Sequence, residues 1–316
     1  MTKKEILAMK AGRELNIRVA EDIMGRRVIQ DDIFGDMEIQ QLAENEVEIA
    51  APGGNYYGAL QPYSEDSSIA QQVMDRLESY NPRVEFNHST AQWEADFGYG
   101  VVSAITSPEA ICKAALLAVW ETKEEEEVAK DEKMNFIDKI VEIELDMFER
   151  VRTAEPSLCK DRPETFKVMR RITHFVLSTE TLESYLGDLQ KARAEGRNLL
   201  TEKYARMDKQ IPPIKVNPAI DEIVKLEGRW MRQLSQKYPH VFKGRAAPLK
   251  SYLASELETY SDKTLELYLR DVSKAEKEGR NLAEERYTRL FQQIGYSGIA
   301  EVDERSKAEN TTNEPS

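Results

Sequence analysis

The stretch "SLCKDRPETFKVMRRITHF", Ser157 to Phe175, gathers a thiol, carboxylates, paired arginines and an imidazole in a short span. Three chemistries could use it. Cys159 could serve as a nucleophile if Lys160 or His174 favoured its thiolate. Glu144, Cys159, Asp161, Glu164 and His174 could supply metal ligands, although no H-x-x-E, H-E-x-x-H or paired-Cys spacing organises them. Arg170, Arg171 and Arg197, with Glu144 and Glu164 nearby, could hold an anionic metabolite or nucleotide. A plain alternative accounts for the same residues: a loop cysteine, then a helix that Asp161 caps and Pro163 starts. No complete catalytic constellation, metal set or cofactor motif emerges. His88, His174 and His240 stand isolated from one another in the sequence.

Two further stretches invite a binding reading. "APGGNYYG" is rich in glycine but lacks the spacing of a phosphate loop or a dinucleotide fingerprint. Its glycines suit a tight turn, and Tyr56 with Tyr57 would suit a protein contact or base stacking. "GRN" occurs at Gly196–Asn198 and again at Gly279–Asn281. A helix N-terminus beside an arginine could attract an anion. The same residues also describe a corner: a left-handed glycine ends one helix and an asparagine caps the next. Asn281 and Glu284 have the spacing of a capping box.

These corners belong to a repeat. "EGRNLLTEKY" begins at Glu195 and "EGRNLAEERY" at Glu278, a step of 83. The same step carries "IDKIVEIELDMF" at Ile137 onto "IDEIVKLEGRWM" at Ile220, "TLESYLGDLQKA" at Thr181 onto "TLELYLRDVSKA" at Thr264, and Tyr204 onto Tyr287. Pro156 falls on Pro239 in the same way. A constant step across several motifs means one helical unit built twice. The cysteine and carboxylates of the first copy become "HVFKGRAAPLKSYL" in the second, so a site in this region would belong to the first copy.

In the first helix of each copy the apolar stripe holds Ile137, Ile140, Val141 and Phe148, or Ile220, Ile223, Val224 and Met231. Glu144 and Glu227 lie on those stripes. A buried carboxylate without a partner costs several kcal/mol. Each is therefore expected to pair with the arginine of its own corner, Arg197 or Arg280.

The elements that would position these residues follow from composition and pattern. The chain has 316 residues, 32% charged and 41% hydrophobic, with a formal charge of −13 and two cysteines. That balance suits a helix-rich protein of two or three cores. The charge and the lack of a dense Lys/Arg cluster weigh against nucleic acid, and no apolar run reaches the ~20 residues of a membrane span. Two cysteines cannot make a disulfide framework, and "MTKKEILAMKAGRELN" lacks a signal peptide's apolar centre, so a cytoplasmic location is expected. Oligomeric state is not encoded in any feature noted.

Residues 1–122 alternate helical and strand signals. "LNIRVAEDIMG" is a helix stopped at Gly25, and "RRVIQDD" and "VEIAAP" are strands. "SEDSSIAQQVMDRLESY" is an amphipathic helix capped among its serines and acids. Val84, Phe86, Trp93, Ala95 and Phe97 alternate across two strands and a turn, and "SPEAICKAALLAVW" opens a helix at Ser107–Glu109. This order predicts a small antiparallel sheet covered by helices. "ETKEEEEVAKDEKMN" is a solvated helix extension or a linker, taken as an acidic linker over 123–135. The helical repeats occupy 136–210 and 218–296 within an all-helical domain at 136–301. The polar tail 302–316 is expected to be disordered.

Two resemblances follow from these motifs. "LNIRVAEDIMG", "PYSEDSSIAQQVMDRL", "WEADFG" and "SPEAICKAALLAVW" resemble the phage ABA sandwich domain over about residues 12–122, which implies an α/β/α sandwich and a phage or prophage origin. "IDKIVEIELDMF", "LCKDRPETFKVMRR", "LESYLGDLQKARAEGRNLLTEKYARM" and "YSDKTLELYLRDVSKAEKEGRNLAE" resemble the bacterial domain of unknown function 4125 over about 136–296. "ELDMF" departs from the tryptophan-containing form expected there. The matching positions include Glu144, Cys159, Asp161, Glu164, Arg170, Arg197, Asn198 and Tyr204, and the first seven are the candidate ligand-binding residues.

The expected fold class is α+β: a small α/β/α sandwich followed by an all-α domain of two degenerate repeats. The expected function is that of a phage-associated, non-enzymatic protein that binds a host or phage macromolecule, with no cofactor. The alternative is a binder or enzyme for a small anionic ligand. A concave pocket in the helical domain lined by the first copy's polar residues would discriminate between them.

Overall fold

A computed structural model describes residues 1–31, 35–40, 57–151, 162–242 and 249–312. The chain divides into two compact units, Met1–Val128 and Ala129–Ser316.

The first unit begins with helix α1 (Lys3–Ala8), closed by a reciprocal capping box between Thr2 and Glu5. Helix α2 (Arg13–Arg18) runs into a π turn over Val19–Ile23, and Gly25, at φ +67°, turns the chain away. Strands β1 (Arg26–Asp31), β2 (Gly35–Gln40) and β3 (Tyr57–Ala59) form one antiparallel sheet in that order. Helix α3 (Ser67–Arg76) follows, with the Asp66 carboxylate accepting from the Ser68 and Ile69 N–H groups. Strands β4 (Arg83–Asn87), β5 (Gln92–Asp96) and β6 (Val102–Ala104) make a second antiparallel sheet. The single small sheet expected from the sequence is thus two three-stranded sheets. The expected pair over Val84–Phe97 forms as β4 and β5, while β1 pairs with the unanticipated β2, and β6 is only three residues long, too short to declare itself by alternation. "VEIAAP" and Tyr56 lie outside the described residues. Leu15, Val19, Tyr63, Val73, Phe97 and Leu116 are fully buried in this unit's core. Cys112 is buried there too, and burial pushes its thiol up to about 12, a poor nucleophile.

Helix α4 (Ser107–Glu149) opens with Glu109 N–H donating to Thr106 Oγ1 at 3.4 Å. It is unbroken across 123–135, so the acidic segment expected as a linker is a helical extension, and the boundary between the two units falls within it. Glutamate and lysine favour helix, and nothing in that stretch interrupts the backbone bonds.

The second unit is all-helical. After the last residues of α4 come α5 (Pro163–Phe175), α6 (Thr179–Ala194) and α7 (Leu199–Met207). The second repeat holds α8 (Pro218–Lys237), the short α9 (Pro239–Phe242), α10 (Leu249–Leu257), α11 (Asp262–Lys277) and α12 (Leu282–Gln293). Helix α13 (Ile299–Thr312) ends the description. Both ends of α6 fall on both ends of α11 at the step of 83, and the starts of α7 and α12 do likewise. Asn198 and Asn281 accept from the N–H groups of Thr201 and Glu284, while Gly196 and Gly279 take φ +72° and +69°. The corners are therefore built as expected, except that the Glu284 carboxylate turns to Lys237 and Tyr238 instead of completing a box.

The repeats pack reciprocally. Helix α5 of the first meets α12 of the second, α7 meets α10, and α6 lies against α11. This is the pattern of an approximate two-fold axis passing between α6 and α11. The tail expected to be disordered is helical over its described residues, 302–312. Ile299 is buried, and the Asp303 carboxylate accepts from the His240 and Val241 N–H groups at 2.8 and 3.0 Å, so tertiary contacts hold a polar segment that would not fold alone. Among the described residues, no helix is long and apolar enough to cross a membrane.

Candidate functional site

The apolar stripe that ends α4 delivers Glu144 to the centre of the helical unit, where it is wholly buried. Helix α5, amphipathic and started by Pro163, presents Arg170 and His174 one turn apart on the face that meets it. Arg170 binds Glu144 with both arms: Nε donates to Oε2 at 2.8 Å and Nη2 to Oε1 at 2.5 Å. His174 Nε2 sits 3.1 Å from both oxygens of the same carboxylate, and the Tyr185 hydroxyl donates to it at 2.9 Å.

The network continues into the second repeat. Arg170 Nη2 also donates to Glu256 Oε1 at 2.7 Å, and Lys203 Nζ donates to Glu256 Oε2 at 2.5 Å. The Tyr260 hydroxyl adds a bond to Glu256 at 3.1 Å. The result is an alternating chain, Glu144–Arg170–Glu256–Lys203, removed from water.

Burial by itself would raise the Glu144 carboxyl, but Arg170 and then His174 outweigh it and hold the group at about 2. Glu256 is displaced in the same direction, burial again being overcome by Arg170 and Lys203. Burial draws the Lys203 ammonium below its ordinary value, with Glu256 opposing and Arg170 reinforcing.

The other half of the unit repeats part of this arrangement. The step of 83 carries Glu144 to Glu227, Tyr185 to Tyr268 and Lys203 to Arg286. Arg286 forks onto Glu227, with Nη1 to Oε1 at 3.0 Å and Nη2 on Oε2, and Tyr268 reaches the same carboxylate at 3.5 Å. The middle members of the chain are missing: Arg170 corresponds to Leu253, and Glu256 corresponds to Thr173.

In their place lies a cavity of about 270 Å³. Its polar lining includes Arg170, His174, Glu227, Glu256, Arg286 and Tyr268, with Met169, Ile172, Leu177, Met231 and Leu253 among its apolar walls. The counterpart space beside Lys203 and Tyr185 holds only about 10 Å³. There Glu256 fills the position of Thr173, and Phe148, stacked on Phe166 at 4.6 Å, fills that of Met231. His174 Nδ1 is a buried side-chain polar atom with no hydrogen-bond partner among the described residues. Such an atom costs roughly 1–3 kcal/mol unless something else bonds it.

The candidate residues separate accordingly. Glu144 and Arg170 meet at the centre. Glu164 is exposed and pairs with Lys167. Asn198 is a corner residue that donates to the Met147 carbonyl at 2.8 Å. Cys159 and Asp161 lie outside the described residues, and Arg162 holds the N-cap position of α5 without a side-chain bond. Arg171 turns outward to Asp138.

The pairing of each buried glutamate with its own corner arginine is overturned. Arg197 forks onto Glu202 and Arg280 onto Glu285, each five residues ahead in the next helix. The left-handed glycine directs the arginine along that first turn, a shorter reach than the core. The cavity also draws on both repeats and not on the first alone. Tyr252, Glu256, Tyr260 and Arg286 had no motif to mark them. The usable signal was the pair of charge changes between copies, Arg170 to Leu253 and Thr173 to Glu256, at matched positions of α5 and α10. Among the described residues no group of three His, Cys, Asp or Glu side chains is placed to hold a metal ion.

Residues 17–116 match the phage ABA sandwich domain, covering the first sheet-bearing unit. Neither the curated proteins nor the solved structures yield a significant match to the chain. Residues 134–304 match a second family along the whole of both repeats, including Glu144, the α5 cluster and the cavity. With more than half its length so matched, the chain belongs to the family described as Protein of unknown function (DUF4125).

Proposed function

We propose that the helical unit is a small-molecule-binding domain whose ligand occupies the cavity between its two repeats, within a phage-associated accessory protein. The observation that carries this reading is the cavity itself. A cavity of about 270 Å³ combines apolar walls with ionised groups fixed by a hydrogen-bonded network, the composition typical of sites for small organic ligands. Purely structural packing would favour closing that space, as the counterpart half does. His174 Nδ1 supplies a polar atom that a ligand can satisfy.

The charge balance shapes the ligand. Glu144, Glu227 and Glu256 face Arg170, Lys203 and Arg286, three carboxylates against three Arg and Lys cations. An anionic ligand has no surplus cation to meet, and a ligand neutral overall fits better.

Native mass spectrometry of the gently purified full chain tests the reading. The expected result is a reproducible adduct of a few hundred daltons or less that is lost in Met231→Trp, which fills the apolar end of the cavity. A clean protomer mass, together with a copurifying second protein, would reject it in favour of a macromolecular partner.

A further inference from the structure

The two halves of the helical unit differ by one ion pair. In the first, Arg170 and Glu256 stand between Glu144 and Lys203, each end group meeting an opposite charge. In the second, the corresponding residues are Leu253 and Thr173, and both line the cavity. The end groups persist as Glu227 and Arg286. They fold onto one another, but only Nη1 and Nη2 of the guanidinium are used on the carboxylate. Arg offers five N–H donors, and a carboxylate about four acceptor sites, so each can take a further partner without releasing the other.

We propose that the ligand is a zwitterion of the α-amino-acid class, replacing the missing pair. Its ammonium meets Glu227, as Arg170 meets Glu144, and its carboxylate meets Arg286, as Glu256 meets Lys203. Its side chain lies against Met169, Ile172, Leu177 and Met231, which selects an apolar one. A zwitterion adds one charge of each sign and preserves the balance of three carboxylates against the Arg and Lys cations. A simple acid or amine would leave one buried charge unmatched. The inference rests on the cavity being a ligand site.

The test uses the full chain and two independent readouts. In the first, thermal midpoints and calorimetric titrations are taken with L-leucine and L-phenylalanine. Their deaminated analogues (4-methylpentanoate, 3-phenylpropanoate) and decarboxylated analogues (isoamylamine, phenethylamine) are the comparison. At least one amino acid should bind roughly ten- to a hundred-fold more tightly than both of its analogues, the effect of one charge-assisted hydrogen bond. Equal binding of an amino acid and its acid or amine overturns the zwitterion but leaves the cavity as a ligand site.

The second readout starts from stability alone. Thr173→Glu and Leu253→Arg each add a single unmatched charge to the cavity wall and should lower the unfolding midpoint. The double variant rebuilds the pair and should recover most of that loss while abolishing amino-acid binding. Additive losses, including failure of the double variant to fold when both singles fold, overturn the proposal. Recovery in the double variant with no response to any probe means the gap is structural, and that result rejects the ligand reading as well.

Discussion

Asp188 and Asp271 exchange helix caps across the repeat interface. Asp271, midway along α11, accepts from the Ser178 N–H at 2.8 Å and the Thr181 hydroxyl at 2.6 Å, at the start of α6. Asp188, midway along α6, accepts from Ser261 and Thr264 at the start of α11 at 2.8 and 2.7 Å. These contacts make the two helices antiparallel and pin the register of one repeat on the other. Everything at the cavity depends on that register, because α5, α10 and α12 are carried by the same two-fold arrangement.

Asp188→Ala and Asp271→Ala should therefore destabilise the chain by similar amounts, about 1.5–3 kcal/mol each for a lost carboxylate acceptor. Urea unfolding checks this. A large asymmetry, or no loss from either, would show that the caps do not set the register.

Glu144 should be the most sensitive of the sequence-derived candidates. Glu144→Ala leaves Arg170 buried with one carboxylate, a change of about 3–5 kcal/mol. Glu164→Ala should leave the denaturation midpoint unchanged, since that side chain is exposed beside Lys167. Equal effects from the two would contradict the central network.

Why Glu144 was legible and its partner was not has a physical basis. A carboxylate on an apolar stripe announces itself locally, because helical spacing says which face it shares. Its partner is fixed by which helices cross, and Glu256 reaches Arg170 over 86 positions of chain. The repeat, its corners and their caps were readable for the same local reason: Gly196, Asn198 and their copies act within one turn. The cavity was not, because it arises from what Leu253 and Thr173 omit. Nor was the second sheet's short edge strand, whose three residues show too little alternation.

Acid should weaken the fold through the same carboxylates. Glu144 lies at about 2 against an ordinary 4.5, and Glu256 is displaced the same way. A carboxylate depressed in the folded state stabilises when ionised, so its contribution is complete above about 4.5 and is lost as pH falls toward 2. For Glu144 alone the loss is on the order of 3 kcal/mol. Denaturation midpoints from pH 2 to 7 should rise and then level off, and Glu144→Gln should flatten the rise. An unchanged slope in that variant would place the acid sensitivity elsewhere.

Two glycines of the same repeat should respond in opposite directions. Gly196 sits at φ +72° with open space around its Cα, so Gly196→Ala meets no clash yet forces a left-handed alanine, costing about 1–2 kcal/mol. Gly187 lies inside α6 in ordinary helical geometry, also with open space beside it. Gly187→Ala should stabilise by about 0.5–1 kcal/mol, since alanine loses less backbone freedom on folding. Thermal midpoints that move the same way would show that conformational freedom is not the controlling difference.

The C-terminal helix should prove to be part of the second repeat's fold. Ile299 is 2% exposed and Phe242 fully buried, and Asp303 receives the two N–H groups at the start of α9. Helix α9 is only four residues long and cannot hold itself. Ile299→Ala should cost about 2–4 kcal/mol as a buried large-to-small change. Asp303→Ala should raise hydrogen exchange at His240 and Val241 while leaving α6 and α11 protected. Unchanged exchange at those two amides, with no loss of stability in Ile299→Ala, would return the segment to the role of a loose polar tail.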